Sequence, residues 1–198
     1  MSKLGYSYEQ RMSDYKKSFE YALKLKDKFD SITIIETVSK EKVIELEESG
    51  LEVYYSKFDN SFSNKGINEM IHIKDFLLAS QINDNDLIVK LTGRYLILND
   101  NILNIDSDFI AKYDGDIYDP INRGVHTFFF GVKKKTFLEF IEYLNIIAGY
   151  RYDNVCIEWL VKGFMLSKNI PILDSFYKLG VITCLYSKEI DRWTRVLS

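Results

Sequence analysis

Two hydrophobic patterns alternate along this chain. In some stretches apolar residues recur at the period of an amphipathic helix, and in others they form short continuous or alternating runs. The helical period covers 8–29, 40–49, 67–80, 134–148 and 153–168. The short runs predict strands at 31–37, 51–55, 86–91, 127–132 and 181–186, and 95–98 fits either helix or strand. Alternating strands and helices predict an α/β fold with a mostly parallel central sheet flanked by helices.

Length and composition favour a single domain. The chain has 198 residues, of which 46% are hydrophobic and 28% charged, and this is sufficient for one well-packed core. It contains only 2 prolines, and no repeat or linker-like tract divides it. We therefore expect one domain over 1–198.

Charge and hydropathy argue against several classes of partner. The net charge of -3 gives no basic footprint for nucleic acid. No apolar run reaches the length of a membrane span, and the first residues lack the apolar segment of a signal peptide. These features predict a soluble cytoplasmic protein. Cys156 and Cys184 fit no metal-binding spacing, so we expect two reduced, buried thiols.

The predicted strand at 86–91 ends in polar and cationic residues. Lys90 lies within it, and Thr92, Gly93 and Arg94 follow. In open α/β sheets, ligands bind beyond the carboxyl ends of the strands. These side chains are therefore expected to face an anionic ligand.

Lys90 requires a partner in either of two interpretations. A lysine inside an apolar strand is costly unless it is paired or points into a site. The first interpretation is a role in ligand binding. The second is a buried ion pair with Asp86, Glu36 or Asp114.

Asn64, Lys65 and Gly66 come just before the predicted helix at 67–80. The backbone N–H groups of a helix N-terminus, with a lysine beside them, form a site for an anion such as a diphosphate. The alternative is an ordinary capped helix whose lysine points to solvent.

Three carboxylates are candidates for metal binding or catalysis. Asp114 and Asp116 form a DxD pair, which can hold a divalent cation that bridges a diphosphate, although Asp-Gly is also common in turns. Glu158 lies among apolar residues of a predicted helix. A carboxylate there caps a buried group, acts as a general base, or occupies the solvent face of the helix.

Other familiar motifs are missing from the sequence. It has no glycine-rich fingerprint of the dinucleotide-binding or P-loop folds and no GxSxG motif. The 2 histidines, His72 and His126, are not at metal-ligand spacing. Arg123 and His126 come at the start of the aromatic strand, where they could line an acceptor pocket.

The order of these features resembles the small GT-A-fold glycosyltransferases of bacterial polysaccharide clusters and of large DNA viruses, such as those of algae. Residues 90–95, Lys-Leu-Thr-Gly-Arg-Tyr, are the most distinctive part of the match. The resemblance extends over about 30–190. It implies a single GT-A-like (Rossmann-like) domain with a role in polysaccharide biosynthesis, in the host cytoplasm if the protein is viral.

The resemblance implies a nucleotide-sugar donor, with a UDP-linked sugar favoured, and a glycan or other hydroxyl acceptor. Glu36 and Thr37 would lie near the base or ribose, Lys65 and Arg94 near the diphosphate, and Glu158 would be the general base of an inverting enzyme. The full donor-binding set is Glu36, Thr37, Asn64, Lys65, Lys90, Thr92 and Arg94. Arg123 and His126 would lie on the acceptor side.

One departure from the family pattern concerns the metal. In the family, a DxD motif follows the central strand, but here Thr92, Gly93 and Arg94 occupy that position. Either protein cations replace Mn²⁺ or Mg²⁺, or Asp114 and Asp116 hold the metal.

Two other functional classes remain open at this point. A non-catalytic nucleotide- or sugar-binding module would keep the cations without needing a base. A Rossmann-like methyltransferase would place Glu36 against a cofactor ribose, although its glycine-rich loop is missing.

Overall fold

The computed structural model describes residues 8–93, 95–97, 100–104, 107–113, 125–147, 155–170 and 181–183. Its α-helices are α1 (Tyr8–Lys24), α2 (Ile44–Glu47), α3 (Lys65–Ala79), α4 (Lys134–Ile146) and α5 (Ile157–Ser167). Short 3-10 turns cover Lys26–Lys28 and Asn101–Asn104. Within these ranges, no helix is long and apolar enough to cross a membrane.

Several predicted helices are shorter than the sequence pattern indicates, among them the one predicted at 153–168, which begins at Ile157. The helix predicted at 40–49 shrinks to α2, because Ser39 exchanges local hydrogen bonds with Glu41: its hydroxyl donates to the Glu41 carbonyl and accepts from the Glu41 N–H. The helix predicted at 8–29 ends at Lys24 and continues as a 3-10 turn. Gly50 follows α2 with φ +78, which fits the expected glycine at a helix C-terminus.

The strands are β1 (Thr33–Glu36), β2 (Glu52–Tyr55), β3 (Leu87–Leu91), β4 (Tyr95–Ile97), β5 (Phe109–Tyr113), β6 (Val125–Lys133) and β7 (Val181–Thr183). Every predicted strand is confirmed in type. Residues 95–97 adopt the strand alternative, and β5 is an additional strand.

The α/β class is confirmed, but strand direction is mixed. β1 and β2 are parallel, as expected. In the rest of the described chain, β3, β6 and β5 form an antiparallel sheet in that order, and β4 pairs antiparallel with β7. The sequence does not reveal this, because β6 is covered on both faces and reads as a continuous apolar run in either direction.

The two faces of β6 contribute to different parts of the core. Phe130 and Val132 pack in the larger cluster, which α3, α4 and α5 cover with Ile67, Met70, Leu77, Phe137, Phe140, Leu144, Leu160, Val161, Phe164 and Met165. Phe129 points to the other face, where Ile97, Ile102 and Ile110 surround it. This packing places α3 and α5 on the same face of the antiparallel sheet.

Candidate functional site

The N-termini of α3 and α5 meet near the carboxyl end of β3. Asn64 caps α3: its side-chain oxygen accepts from Gly66 N at 3.0 Å and from Ile67 N at 3.3 Å. The side-chain nitrogen of Asn64 donates to the carbonyl of Val155, just before α5, at 2.7 Å. One asparagine therefore bonds to both helix starts, which is the capped helix of the alternative interpretation, and anion binding there stays a prediction.

Lys65 lies at the first position of α3 and is exposed. The described residues give it no ion pair. It thus places a cation in solvent at the positive end of a helix dipole, where an anion is favoured. The start of α5 lies beside it, since Asn64 bonds to Val155 and Gly66 packs against Ile157.

Lys90 is buried, with 8% of its surface exposed, and its ammonium contacts three acceptors. Its Nζ lies 2.9 Å from Glu69 Oε1, donates to Thr92 Oγ1 at 2.7 Å, and donates to the carbonyl of Thr127. Three N–H groups and three acceptors match, which favours the charged form. Burial opposes it and lowers the pKa of Lys90, while the carboxylates of Glu69 and Glu158 counteract part of that shift.

The interpretation of Lys90 as a member of a buried ion pair is confirmed, but two of the expected partners, Asp86 and Glu36, are wrong. The partner is Glu69, from the second turn of α3. Asp86 instead accepts two N–H groups of Asn83, and Glu36 accepts backbone N–H groups of its own loop. Asp114 lies outside the described residues.

Glu69 is the site residue that sequence reasoning missed. It is a single charged residue among core positions of α3, so hydrophobic periodicity gives no sign of its role. The available signal was its position one turn after Lys65, in a helix already expected to start at the site.

Glu158 lies in the first turn of α5 and is half-buried. Its Oε1 accepts a hydrogen bond from Thr127 Oγ1 at 3.0 Å. The carbonyl of the same threonine accepts a hydrogen bond from Lys90 Nζ, so Thr127 connects the Glu158 carboxylate to the buried ammonium. This arrangement orients a carboxylate at the meeting point of the two helices.

The structure corrects the expectation of a buried Cys156, because this free cysteine is exposed just before α5. Partial desolvation raises the pKa of its thiol, and the adjacent Glu158 carboxylate raises it further. Cys184 lies outside the described residues.

The other predicted site residues fall into two groups. Glu36 and Thr37 lie at the end of β1, where Glu36 Oε1 accepts from Val38 N and Ser39 N and the Thr37 carbonyl accepts from Asn60 Nδ2 at 2.9 Å. Outside the described residues lie Arg94, Asp114, Asp116 and Arg123.

His126, on β6, packs edge-on against Phe128 at 5.3 Å between ring centroids. In the part of the chain that the structure describes, no group of three or more His, Cys, Asp or Glu side chains could hold a metal ion.

A second polar network supports the loop between β2 and α3. The buried ring of His72 lies 2.8 Å from Ser56 Oγ through Nδ1 and 3.0 Å from Asn60 Oδ1 through Nε2. Ser56 in turn donates to Asp75 Oδ2 at 2.8 Å. Burial lowers the pKa of His72, and the nearby Lys40 lowers it further. Because Asn60 also bonds to Thr37, this network joins the end of β1 to the segment that leads into α3.

Comparison with solved structures identifies a protein of the same fold. The chain is similar to the nucleoside-diphosphate-sugar pyrophosphorylase of Vibrio cholerae RC9, with a TM-score of 0.55 and 11% sequence identity over 92% of this chain and 87% of that one. No protein-family model and no curated protein matches the chain. At this identity, the likeness is one of fold.

Proposed function

We propose that the chain, acting as one domain, is a glycosyltransferase that moves a sugar from a nucleotide-sugar donor to a hydroxyl acceptor. The observation that carries the proposal is the position of Glu158. This carboxylate is oriented by Thr127 where two helix N-termini meet, 31 residues along the chain from the hydroxyl that holds it. This position supports a role for Glu158 as a base close to helix N-termini that favour an anion.

The donor side of the proposal rests on the fold and on Lys65. The neighbour of known structure is named for a nucleoside diphosphate sugar, which is the class of donor proposed here. Lys65 and Arg94 would contact the diphosphate. Glu36 and Thr37 would contact the base or ribose, and Lys90 and Thr92 would form the inner wall of this site.

The proposed reaction has a defined course of protons and electrons. The acceptor oxygen forms a bond to the anomeric carbon, and the bond from that carbon to the diphosphate oxygen breaks. Glu158 accepts the proton of the acceptor hydroxyl, and the electron pair of the broken bond leaves with the nucleoside diphosphate. Fixed cations near the leaving oxygen stabilise the negative charge that develops there.

The acceptor side and the metal complete the proposal. Arg123 and His126 would contact the acceptor glycan. Asp114 and Asp116 would hold Mn²⁺ or Mg²⁺ if the enzyme uses a metal, and a metal there would neutralise the diphosphate. A UDP-linked sugar is the proposed donor.

A second candidate is nucleotidyl transfer, which the name of the structural neighbour favours. Such an enzyme would join a nucleoside triphosphate to a sugar phosphate and release pyrophosphate. It needs no base for a glycan hydroxyl, so the two candidates differ in whether Glu158 must accept a proton from an acceptor sugar.

A ligand-binding screen followed by a product assay tests these candidates. UDP-, GDP-, CMP- and dTDP-sugars, each with and without Mn²⁺, are added to the protein in a thermal-shift panel, because a ligand of the native state raises the melting temperature. The donor that binds is then incubated with glycan acceptors. Release of nucleoside diphosphate with transfer of the sugar supports a glycosyltransferase, and pyrophosphate release from a nucleoside triphosphate supports the second candidate. Binding of a nucleotide sugar without formation of either product would indicate a non-catalytic binding module.

A further inference from the structure

We infer that Glu69 is a positioning residue that keeps the Lys90 ammonium away from Glu158 and so leaves the Glu158 carboxylate able to accept a proton. The inference rests on the proposed function, since it concerns the base of that reaction. It assigns separate tasks to Glu69 and Glu158, the two carboxylates that act on the buried Lys90.

Three acceptors contact the Lys90 ammonium. Of its three acceptors, Glu69 is the charged one. Glu69 Oε1 also accepts from Thr92 Oγ1 at 3.3 Å, and Thr92 accepts from Lys90. Glu69, Lys90 and Thr92 therefore form a closed triangle of contacts, which holds the ammonium in one position.

Two carboxylates act on the charge of Lys90. The titratable groups that act on Lys90 come from two helices, Glu69 on α3 and Glu158 on α5, and Glu158 also interacts with the thiol of Cys156. Glu69 acts on Lys90 through a direct contact, whereas Glu158 acts only through its charge. Among Glu69, Glu158 and Lys90, one ammonium thus faces two carboxylates. Lys162, which is also buried and lies one turn after Glu158 on α5, has its ammonium over the Trp159 ring, 5.4 Å from the ring centroid.

Removal of the Glu69 carboxylate would leave the Lys90 ammonium without its direct counterion. A buried ammonium without a counterion is strongly unfavourable, so Lys90 would turn to the next carboxylate. That carboxylate is Glu158, which is already connected to Lys90 through Thr127. A carboxylate paired with an ammonium holds a proton less readily and is a weaker base. Glu69 therefore matters to the reaction without contacting the acceptor.

The starts of α3 and α5 are fixed to each other. Asn64 fixes the start of α3 to Val155 before α5, and Gly66 packs against Ile157. Because both helix starts are fixed, the backbone positions of Glu69 and Glu158 are fixed relative to each other. The backbone, and not only the side-chain rotamers, therefore keeps the two carboxylates apart.

The test is the pH dependence of transfer in Glu69→Gln, which keeps the shape of the side chain and removes its charge. We expect turnover at neutral pH to fall about tenfold and the acid limb of the pH–rate profile to move by about one pH unit or more to lower pH, since an adjacent opposite charge has that effect on a carboxyl group. Affinity for the donor should stay within about twofold of the parent, because the change acts on the base.

Three further variants separate positioning from a merely structural role. Glu69→Asp keeps the counterion and should keep the acid limb of the parent. Adding Lys90→Met to Glu69→Gln removes the ammonium that would otherwise pair with Glu158, and should return the acid limb to its parental position. Glu142→Gln, on the exposed face of α4, controls for the loss of one negative charge elsewhere.

The inference is overturned if Glu69→Gln has the acid limb of the parent, or if the shift persists after Lys90 is also replaced. If Glu69→Gln does not fold, the double variant Glu69→Gln, Lys90→Met is the test. A folded double variant with the parental acid limb supports the inference, and an unfolded double variant contradicts it.

Failure of the proposed function is recognised separately. In that case the parent protein transfers no sugar, and the inference is tested by the coupling between Lys90→Met and Glu158→Gln in urea unfolding. The coupling should be larger when Glu69 is replaced by Gln than in the parent protein, and equal coupling would contradict the inference.

Discussion

Gly66 and Ile157 are packed so closely that a Cβ atom on Gly66 would lie 2.5 Å from Cγ2 of Ile157. A separation this short cannot be tolerated, because non-bonded carbon atoms prefer about 3.5–4.0 Å. The N-terminus of α3 therefore approaches α5 as it does only because residue 66 has no side chain. The position of Glu69 relative to Glu158 depends on this contact.

The first prediction concerns this contact. Gly66→Ala should lower the free energy of unfolding by about 1–3 kcal/mol, since the added methyl group would force the two helix starts apart. The measurement is urea unfolding at neutral pH. Lys65→Ala changes the adjacent exposed residue and should stay within about 0.5 kcal/mol of the parent. A Gly66→Ala variant as stable as the parent would show that α3 and α5 are not in tight contact.

The second prediction concerns the donor. Lys65→Ala and Arg94→Ala should each weaken binding of the nucleotide sugar about tenfold, because a charge-assisted hydrogen bond to phosphate contributes roughly 1.5–3 kcal/mol. Titration calorimetry on the folded variants measures the effect, with Lys135→Ala on the exposed face of α4 as the control. Unchanged affinity for the nucleotide sugar in both variants would show that the diphosphate does not bind at the start of α3.

The sequence predicts the elements of this fold better than their arrangement. Hydrophobic periodicity finds the strand that contains Lys90, the helix that Asn64 caps and the helix that contains Glu158, because each element buries an apolar face of its own. It does not give the antiparallel direction of β6, since a strand covered on both faces carries the same pattern in either direction.

The limits are similar at the site. The burial cost of a charged lysine correctly indicates that Lys90 needs a partner. It does not identify Glu69, which lies 21 residues away on another element, because only the packing of α3 on the sheet brings the two side chains together. The cap at Asn64 was predictable, as its hydrogen bonds are local, but its bond to Val155 was not.

The third prediction concerns pH and stability. The folded state lowers the pKa of His72 below its ordinary value of 6.5, so the unfolded chain takes up this proton first as the pH falls. The stability that the neutral ring contributes is therefore complete above about pH 6.5 and is lost as the pH falls below it. Asp75, whose pKa is lowered by hydrogen bonds from Ser56, Lys57 and Tyr54, affects stability only at a lower pH, below its ordinary value of 3.8.

Urea unfolding between pH 7 and pH 5 measures this effect. The parent protein should lose stability over that range, and His72→Gln, which cannot take up a proton there, should lose less. Parallel curves for the two proteins would mean that the environment of His72 does not disfavour its charged form.

The last prediction separates an enzyme from a binding module through Glu158. Glu158→Gln keeps the shape of the side chain and an oxygen that can accept from Thr127, but it cannot take a proton. If Glu158 is the base, transfer should fall by roughly a hundredfold or more while affinity for the donor stays nearly the same, since a positioned base contributes about that factor. If Glu158 is only a structural partner of Thr127, the melting temperature should fall and turnover per folded molecule should be preserved. Measuring turnover, donor affinity and melting temperature on one purified variant distinguishes these cases, and full turnover with an intact fold would exclude Glu158 as the base.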